Sequence, residues 1–124
     1  MVDFTNKGLI KLKQESKDIG YEKVKELLID GETVIDSYVS MRDRVVFTNK
    51  RIISINVQGL TGKKVDYTSI PYNKIQAYSV ETAGLLDLDA ELDLFLSGVG
   101  KIRFEISGSS NIVGLCKAIS AMIL

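Results

Sequence analysis

Leu86-Asp87-Leu88-Asp89-Ala90-Glu91-Leu92-Asp93-Leu94-Phe95-Leu96 alternates apolar and acidic residues, with Phe95 as the one break in the acidic parity. Successive side chains of a β-strand project to opposite faces, so this segment carries a leucine-lined face for a core and a carboxylate face for water. Ser97-Gly98-Val99-Gly100 supplies a turn, after which Ile102, Phe104 and Ile106 alternate with Lys101, Arg103 and Glu105. The two segments predict an antiparallel hairpin. Its wet faces set an acidic row beside a largely basic one, and opposite-charge cross-strand pairs contribute about 0.2–1 kcal/mol each.

The same period continues upstream. Residues 32–40, 42–47, 50–57, 65–70 and 74–81 are short runs rich in β-branched and aromatic residues, separated by Asp30-Gly31, Met41 to Asp43, Thr48-Asn49, Gln58-Gly59 and Pro71. They read as successive antiparallel strands, with Pro71 confined to an edge or strand end because it has no N–H to donate. Downstream, Ile112, Leu115, Cys116, Ile119, Met122 and Ile123 recur at helical spacing behind the N-cap candidates Ser109, Ser110 and Asn111. Its opposite face offers only Lys117 and Ser120 as polar groups, so such a helix needs cover over most of its surface. Near the N-terminus, residues 21–29 place Tyr21, Val24, Leu27 and Leu28 at amphipathic spacing and predict a short helix stopped by Asp30-Gly31. Residues 6–17 read as a further helical turn or a loosely docked arm. The expected architecture is mainly β with a C-terminal α-helix.

Composition limits the chemistry. The chain has 124 residues, of which 45% are hydrophobic and 26% charged, enough for one globular core. No repeat or linker divides it, so residues 1–124 form one domain: an N-terminal helical segment over 1–30, β-sheets over 32–107 and a capping helix over 110–124. Sixteen basic residues balance sixteen acidic ones, whereas a general nucleic-acid binder needs a cationic surplus. There is no histidine, hence neither the commonest general base nor the commonest metal ligand. The single cysteine cannot close an internal disulfide. No signal-peptide-like apolar stretch opens the chain, and residues 112–124 are too short to span a bilayer and include Lys117. A cytoplasmic location is expected, and no cofactor.

The ordered run Thr48-Asn49-Lys50-Arg51-Ile52-Ile53, Gln58-Gly59-Leu60-Thr61-Gly62-Lys63-Lys64, Tyr67-Thr68-Ser69-Ile70-Pro71-Tyr72 and Glu81-Thr82-Ala83-Gly84, together with the alternating segment, resembles the bacterial pleckstrin-homology (PH) family. The resemblance covers roughly residues 5–124. It implies a PH-like barrel or sandwich of about seven antiparallel strands, capped at one end by the C-terminal helix and preceded by a short N-terminal helical segment. It also implies a tendency toward ring-like homo-oligomers, with no established enzymatic activity or ligand.

Three sets of residues invite a functional reading. Asp87, Asp89, Glu91 and Asp93 have the spacing that opens a calcium-binding loop, but such a loop needs glycine at its sixth position and a carboxylate at its twelfth, where Leu92 and Gly98 stand. No metal site is expected. Like charges along one strand call for cationic neighbours, and Phe95 would set a large aromatic in water. Asp87, Asp89, Glu91, Asp93, Phe95, Lys101 and Arg103 are therefore the candidate oligomer interface, with another copy of the chain as the expected partner and a further, unidentified protein as an additional one. Arg42, Arg44, Lys50, Arg51, Lys63 and Lys64 form the candidate anion or lipid contact. Arg42 and Arg44 match the location where the resemblance implies inositol lipids bind in those PH domains that take them. Asp43, Glu32 and Asp36 dilute this cluster, which makes the membrane surface the alternative partner. Gly59 to Lys64 lacks the spacing of a nucleotide-binding loop and reads as a strand-to-strand connection. Cys116 reads as a core thiol, since reactive thiolates need an electropositive, accessible site. No catalytic residue is nominated.

Overall fold

The computed structural model describes residues 9–59, 64–82, 89–107 and 111–124, with no side-chain detail for Leu9 and Ile10. Strands β2 (Val34–Val39), β3 (Asp43–Thr48), β4 (Arg51–Gln58) and β5 (Lys64–Pro71) form an antiparallel meander, and β6 (Ile75–Thr82), β7 (Ala90–Leu96) and β8 (Gly100–Ile106) form a second. A 3₁₀ turn over Tyr72–Lys74 links them, and helix α2 (Ile112–Ile123) follows β8. Each lies close to its expected place, and Pro71 ends β5, which pairs with β4 alone.

The N-terminal segment differs from expectation. Leu9–Glu15 is a strand, β1, not a helical turn or an arm. It pairs antiparallel with β2 and parallel with β8, which joins the two meanders into one sheet of order β5-β4-β3-β2-β1-β8-β7-β6. The physical reason is tertiary: β2 and β8 each present an otherwise unpaired edge, and a strand between them satisfies both rows of backbone groups. Leu12 fills the core while Lys11 and Lys13 stay in water. The register with β8 shifts between Leu9 and Leu12, around Lys11, whose φ is 56°.

Helix α1 spans Lys17–Val24, starting and ending earlier than residues 21–29. Ser16 caps it, its hydroxyl accepting from the Asp18 N–H at 3.2 Å. The helix lies against the outer face of β2 and β3 and approaches closely at Gly20, where an added Cβ would stand 2.6 Å from Ser37 Oγ. Val24 is buried against Val46, Ile53 and Ile55, and Leu28 and Val34 pack at the margin. This small cluster pins the helix, whereas Leu27, which extended the apparent period, remains exposed, as does Ile29.

The main core lies on the other face. Tyr38, Phe47, Ile52 and Ile70 from one meander meet Leu92, Leu94, Ile102 and Phe104 from the other, with Leu12 between them and Leu115 and Ile119 of α2 above. Tyr38 and Phe47 meet edge to face, with ring centroids 5.7 Å apart. Asn111 caps α2 by accepting from the Gly114 N–H at 3.0 Å; Ser109 and Ser110 fall outside the described residues. Leu115 and Ile119 of α2 are buried and most of its other residues half-buried, so the described residues supply much of the cover expected for this helix and leave one exposed stripe of Val113, Lys117 and Ala121.

Candidate interaction surface

The outer face of β6, β7 and β8 carries the residues singled out as an interface. Registration of the three strands sets them in cross-strand rows: Ala77, Phe95 and Lys101; then Ser79, Asp93 and Arg103; then Glu81, Glu91 and Glu105. In the middle row Arg103 grips Asp93 through both carboxylate oxygens, at 2.8 and 2.9 Å. It also reaches Glu91 at 3.2 Å. Asp93 is 6% exposed, and the hydrogen bonds from Arg103 hold its carboxyl below the usual carboxylate range in spite of that burial. The guanidinium is in turn pushed further up by Asp93.

The expected acidic-against-basic pairing therefore holds at Asp93 and Arg103, but not along the whole hairpin. Glu91 stands opposite Glu105 on one side and Glu81 on the other, so three carboxylates cross the sheet in a line. Like charges directly opposite are unfavourable. Phe95 remains 38% exposed beside the exposed Lys101 and the small Ala77. Asp89 is half-buried and engaged, and Asp87 lies outside the described residues.

The basic set does not gather into one site. Arg44 donates to both oxygens of Glu15, at 2.7 and 3.2 Å, and the Ser37 hydroxyl donates to the same carboxylate at 2.6 Å. Burial pushes the Glu15 carboxyl up, and Arg44 and Ser37 outweigh it, leaving it below the ordinary range. Arg51 is more fully committed. It donates to Glu32 at 2.9 and 3.0 Å, to the Leu27 carbonyl at 2.7 Å and to Ser69 Oγ at 3.1 Å. The Glu32 side chain is fully buried and also accepts from Thr48 Oγ1 at 2.7 Å and the Ile29 N–H at 3.1 Å. Burial raises its carboxyl, but Arg51, Thr48 and Ile29 together hold it down. These two arginines are internal braces that tie β1 to β3 and the α1–β2 connection to β4.

Of the remaining basic candidates, Arg42 reaches the Gly59 carbonyl at 3.0 Å, and Lys64 opens β5 opposite Gln58, at the same end of the sheet. Lys50 occupies the turn between β3 and β4 at the other end, roughly 25 Å away along β4 at about 3.3 Å per residue. Lys63 lies outside the described residues. Cys116 is half-buried, and burial pushes its thiol up, away from a reactive thiolate.

Sequence reasoning nominated Arg44 and Arg51 as ligand contacts and missed Glu15 and Glu32 as their partners. Each pair joins residues far apart in the chain, and no local spacing marks them. It also missed the carboxylate line, since Glu81 becomes a neighbour of Glu91 only through the register of β6 on β7.

Residues 3–123 match the family described as "Bacterial PH domain". The chain belongs to the bacterial PH-domain family. Its fold is accordingly PH-like, a module that is generally non-catalytic. Among solved structures it is similar to a DUF1696 family protein with a pleckstrin-homology domain from Shewanella loihica PV-4, at 39% identity and a TM-score of 0.81, covering 93% of this chain and 99% of that one. A pleckstrin-homology domain from Shewanella amazonensis SB2B is 40% identical at a TM-score of 0.68, covering 89% and 90%. Two Bacillus subtilis (strain 168) relatives are the uncharacterized proteins YjqA, 48% identical over 77 residues, and YozO, 34% identical over 77 residues. The matched segment is 62% of this chain and spans 62% of YjqA and 67% of YozO. No helix among the described residues of this PH domain is long and apolar enough to cross a membrane.

Proposed function

We propose that this PH domain is a non-enzymatic interaction module that assembles with copies of itself through the outer face of β6, β7 and β8. The observation that carries this reading is the row of Glu81, Glu91 and Glu105 beside the half-exposed Phe95. Among the described residues Arg103 alone is paired with this row, through Glu91, and a cationic surface laid against it relieves the repulsion while covering the phenyl ring. The chain offers such a surface on β1 and at the start of α1. Lys11, Lys13 and Lys17 are exposed there, without an ion pair among the described residues. Two different patches of one molecule that complement each other make a heterologous contact, which closes into a ring or runs on as a filament.

Light scattering after size exclusion, at tens of micromolar and at low and high salt, tests the reading. The expected result is a species of several subunits whose mass falls with salt and in Phe95→Glu. A monomer at low salt overturns it. The alternative, peripheral binding to anionic lipid headgroups, draws on Arg42 and Lys64, the candidates at the loop end of the sheet whose side chains form no ion pair among the described residues. Sedimentation with phosphatidylserine or phosphoinositide liposomes at two salt concentrations separates the two readings, because only the alternative predicts salt-sensitive co-sedimentation.

A further inference from the structure

A cavity of about 430 Å³ opens where the end of β5, the 3₁₀ turn and the start of β6 meet the β7–β8 turn. Its apolar lining is Ile70, Pro71, Leu96, Val99 and Ile102, joined by five uncharged polar residues and by Lys74. The volume is in the range of small-molecule sites, which combine an apolar body with a few placed polar groups. Lys74 is the sole charged residue of the lining among the described residues. It is exposed, and no carboxylate among the described residues pairs with it.

We infer that this cavity binds a small monoanionic amphiphile, of the class of a medium-chain carboxylate, with the hydrocarbon against Pro71, Leu96 and Val99 and the anion at Lys74. An apolar chain gains by leaving water for these walls, and a single anion answers the single cation at the mouth. A neutral hydrocarbon leaves Lys74 unanswered, and a multiply charged ligand brings charge that no second cation of the lining meets. The site is separate from the carboxylate row, which lies on the outer face of the sheet, whereas the cavity is reached from inner-face residues such as Ile70 and Ile102.

The test is an NMR titration of the intact chain with hexanoate, octanoate and decanoate below their micellar concentrations, and with octan-1-ol. Saturable amide shifts are expected in residues 68–76 and 96–102. Affinity should rise about fourfold for each methylene until the cavity is filled. Octanoate should bind about fivefold more tightly than octan-1-ol, a difference that Lys74→Glu abolishes. Val99→Trp alters a rim position that is 39% exposed, outside the core, and should weaken every ligand. Shifts that stay linear to millimolar concentration, equal affinity for acid and alcohol, or wild-type affinity in Val99→Trp each overturn the inference. So does a change in the same amides on protein dilution that octanoate leaves untouched, since a second copy would then fill the cavity. Self-assembly is read by scattering and this site by titration, so the failure of one is distinguishable from the failure of the other.

Discussion

Replacing Glu32 by alanine tests whether Arg51 is a brace or a free ligand contact. In the native chain the Glu32 carboxylate is fully buried and accepts from Arg51 twice, from Thr48 and from the Ile29 N–H. Glu32→Ala removes the acceptor and strands all of these donors, including a guanidinium whose side chain is 23% exposed. Breaking one side of a buried ion pair costs about 3–5 kcal/mol. Domains of this size have a total of about 5–15 kcal/mol, so the variant should lose a large share of its stability. At about 4 °C per kcal/mol the melting temperature should fall by roughly 12–20 °C. Urea unfolding of Glu32→Ala, Arg51→Ala and the double variant supplies the assay. The double variant should cost far less than the two single changes added together, because the second substitution removes the charge that the first left stranded. Additive losses, or a loss below about 1 kcal/mol for Glu32→Ala, would refute the brace and return Arg51 to the pool of free cations.

Ser54 is fully buried between Val45 and Thr68, and its hydroxyl has no hydrogen-bond partner among the described residues; Ser54→Ala should raise stability by about 1 kcal/mol, seen as a higher urea midpoint, and a lower midpoint counts against that environment. Gly20→Ala forces a methyl toward Ser37 and should cost about 1–3 kcal/mol; unchanged stability would mean that α1 does not sit so close to β2. Glu15, Glu32 and Asp93 all have folded-state carboxyls held below their ordinary values. Their contribution is complete above the unfolded carboxylate range and is lost as pH falls through the lowered folded values, so thermal melts should be flat near neutrality and drop steeply below about pH 4. A melting temperature that holds steady down to pH 3 would contradict these three assignments.

Most of the strands were legible because their apolar residues are β-branched and separated by turn chemistry. The β7–β8 hairpin was legible as an acidic row beside a largely basic one, since a tight turn fixes the register, but the individual Asp93–Arg103 pair was not. β1 was not. Within Lys11–Glu15 only Leu12 is buried, and the lysines around it read as a solvated helix face until β2 and β8 are known to flank them. The start of α1 is marked by Ser16 and Asp18, but the apolar spacing of Leu27 and Leu28 drew the reading downstream. At the candidate surface, Phe95 and the acids were visible as a strand face. Glu81 and the committed state of Arg44 and Arg51 depend on contacts between distant segments, which no periodicity encodes.

The insertion of β1 also bears on how the chain reaches this fold. Leu9 lies beside Phe104, so the first described strand to be synthesised waits for the last before its second edge is paired. The meander of β2 to β5 can zip locally, but closing the sheet requires a loop that takes in almost the whole domain, and contacts of that span slow folding. Until β8 arrives, the outer edge of β1 is an open row of N–H and C=O groups. In a crowded cell, that interval is when the chain is most exposed to pairing with a strand from another molecule.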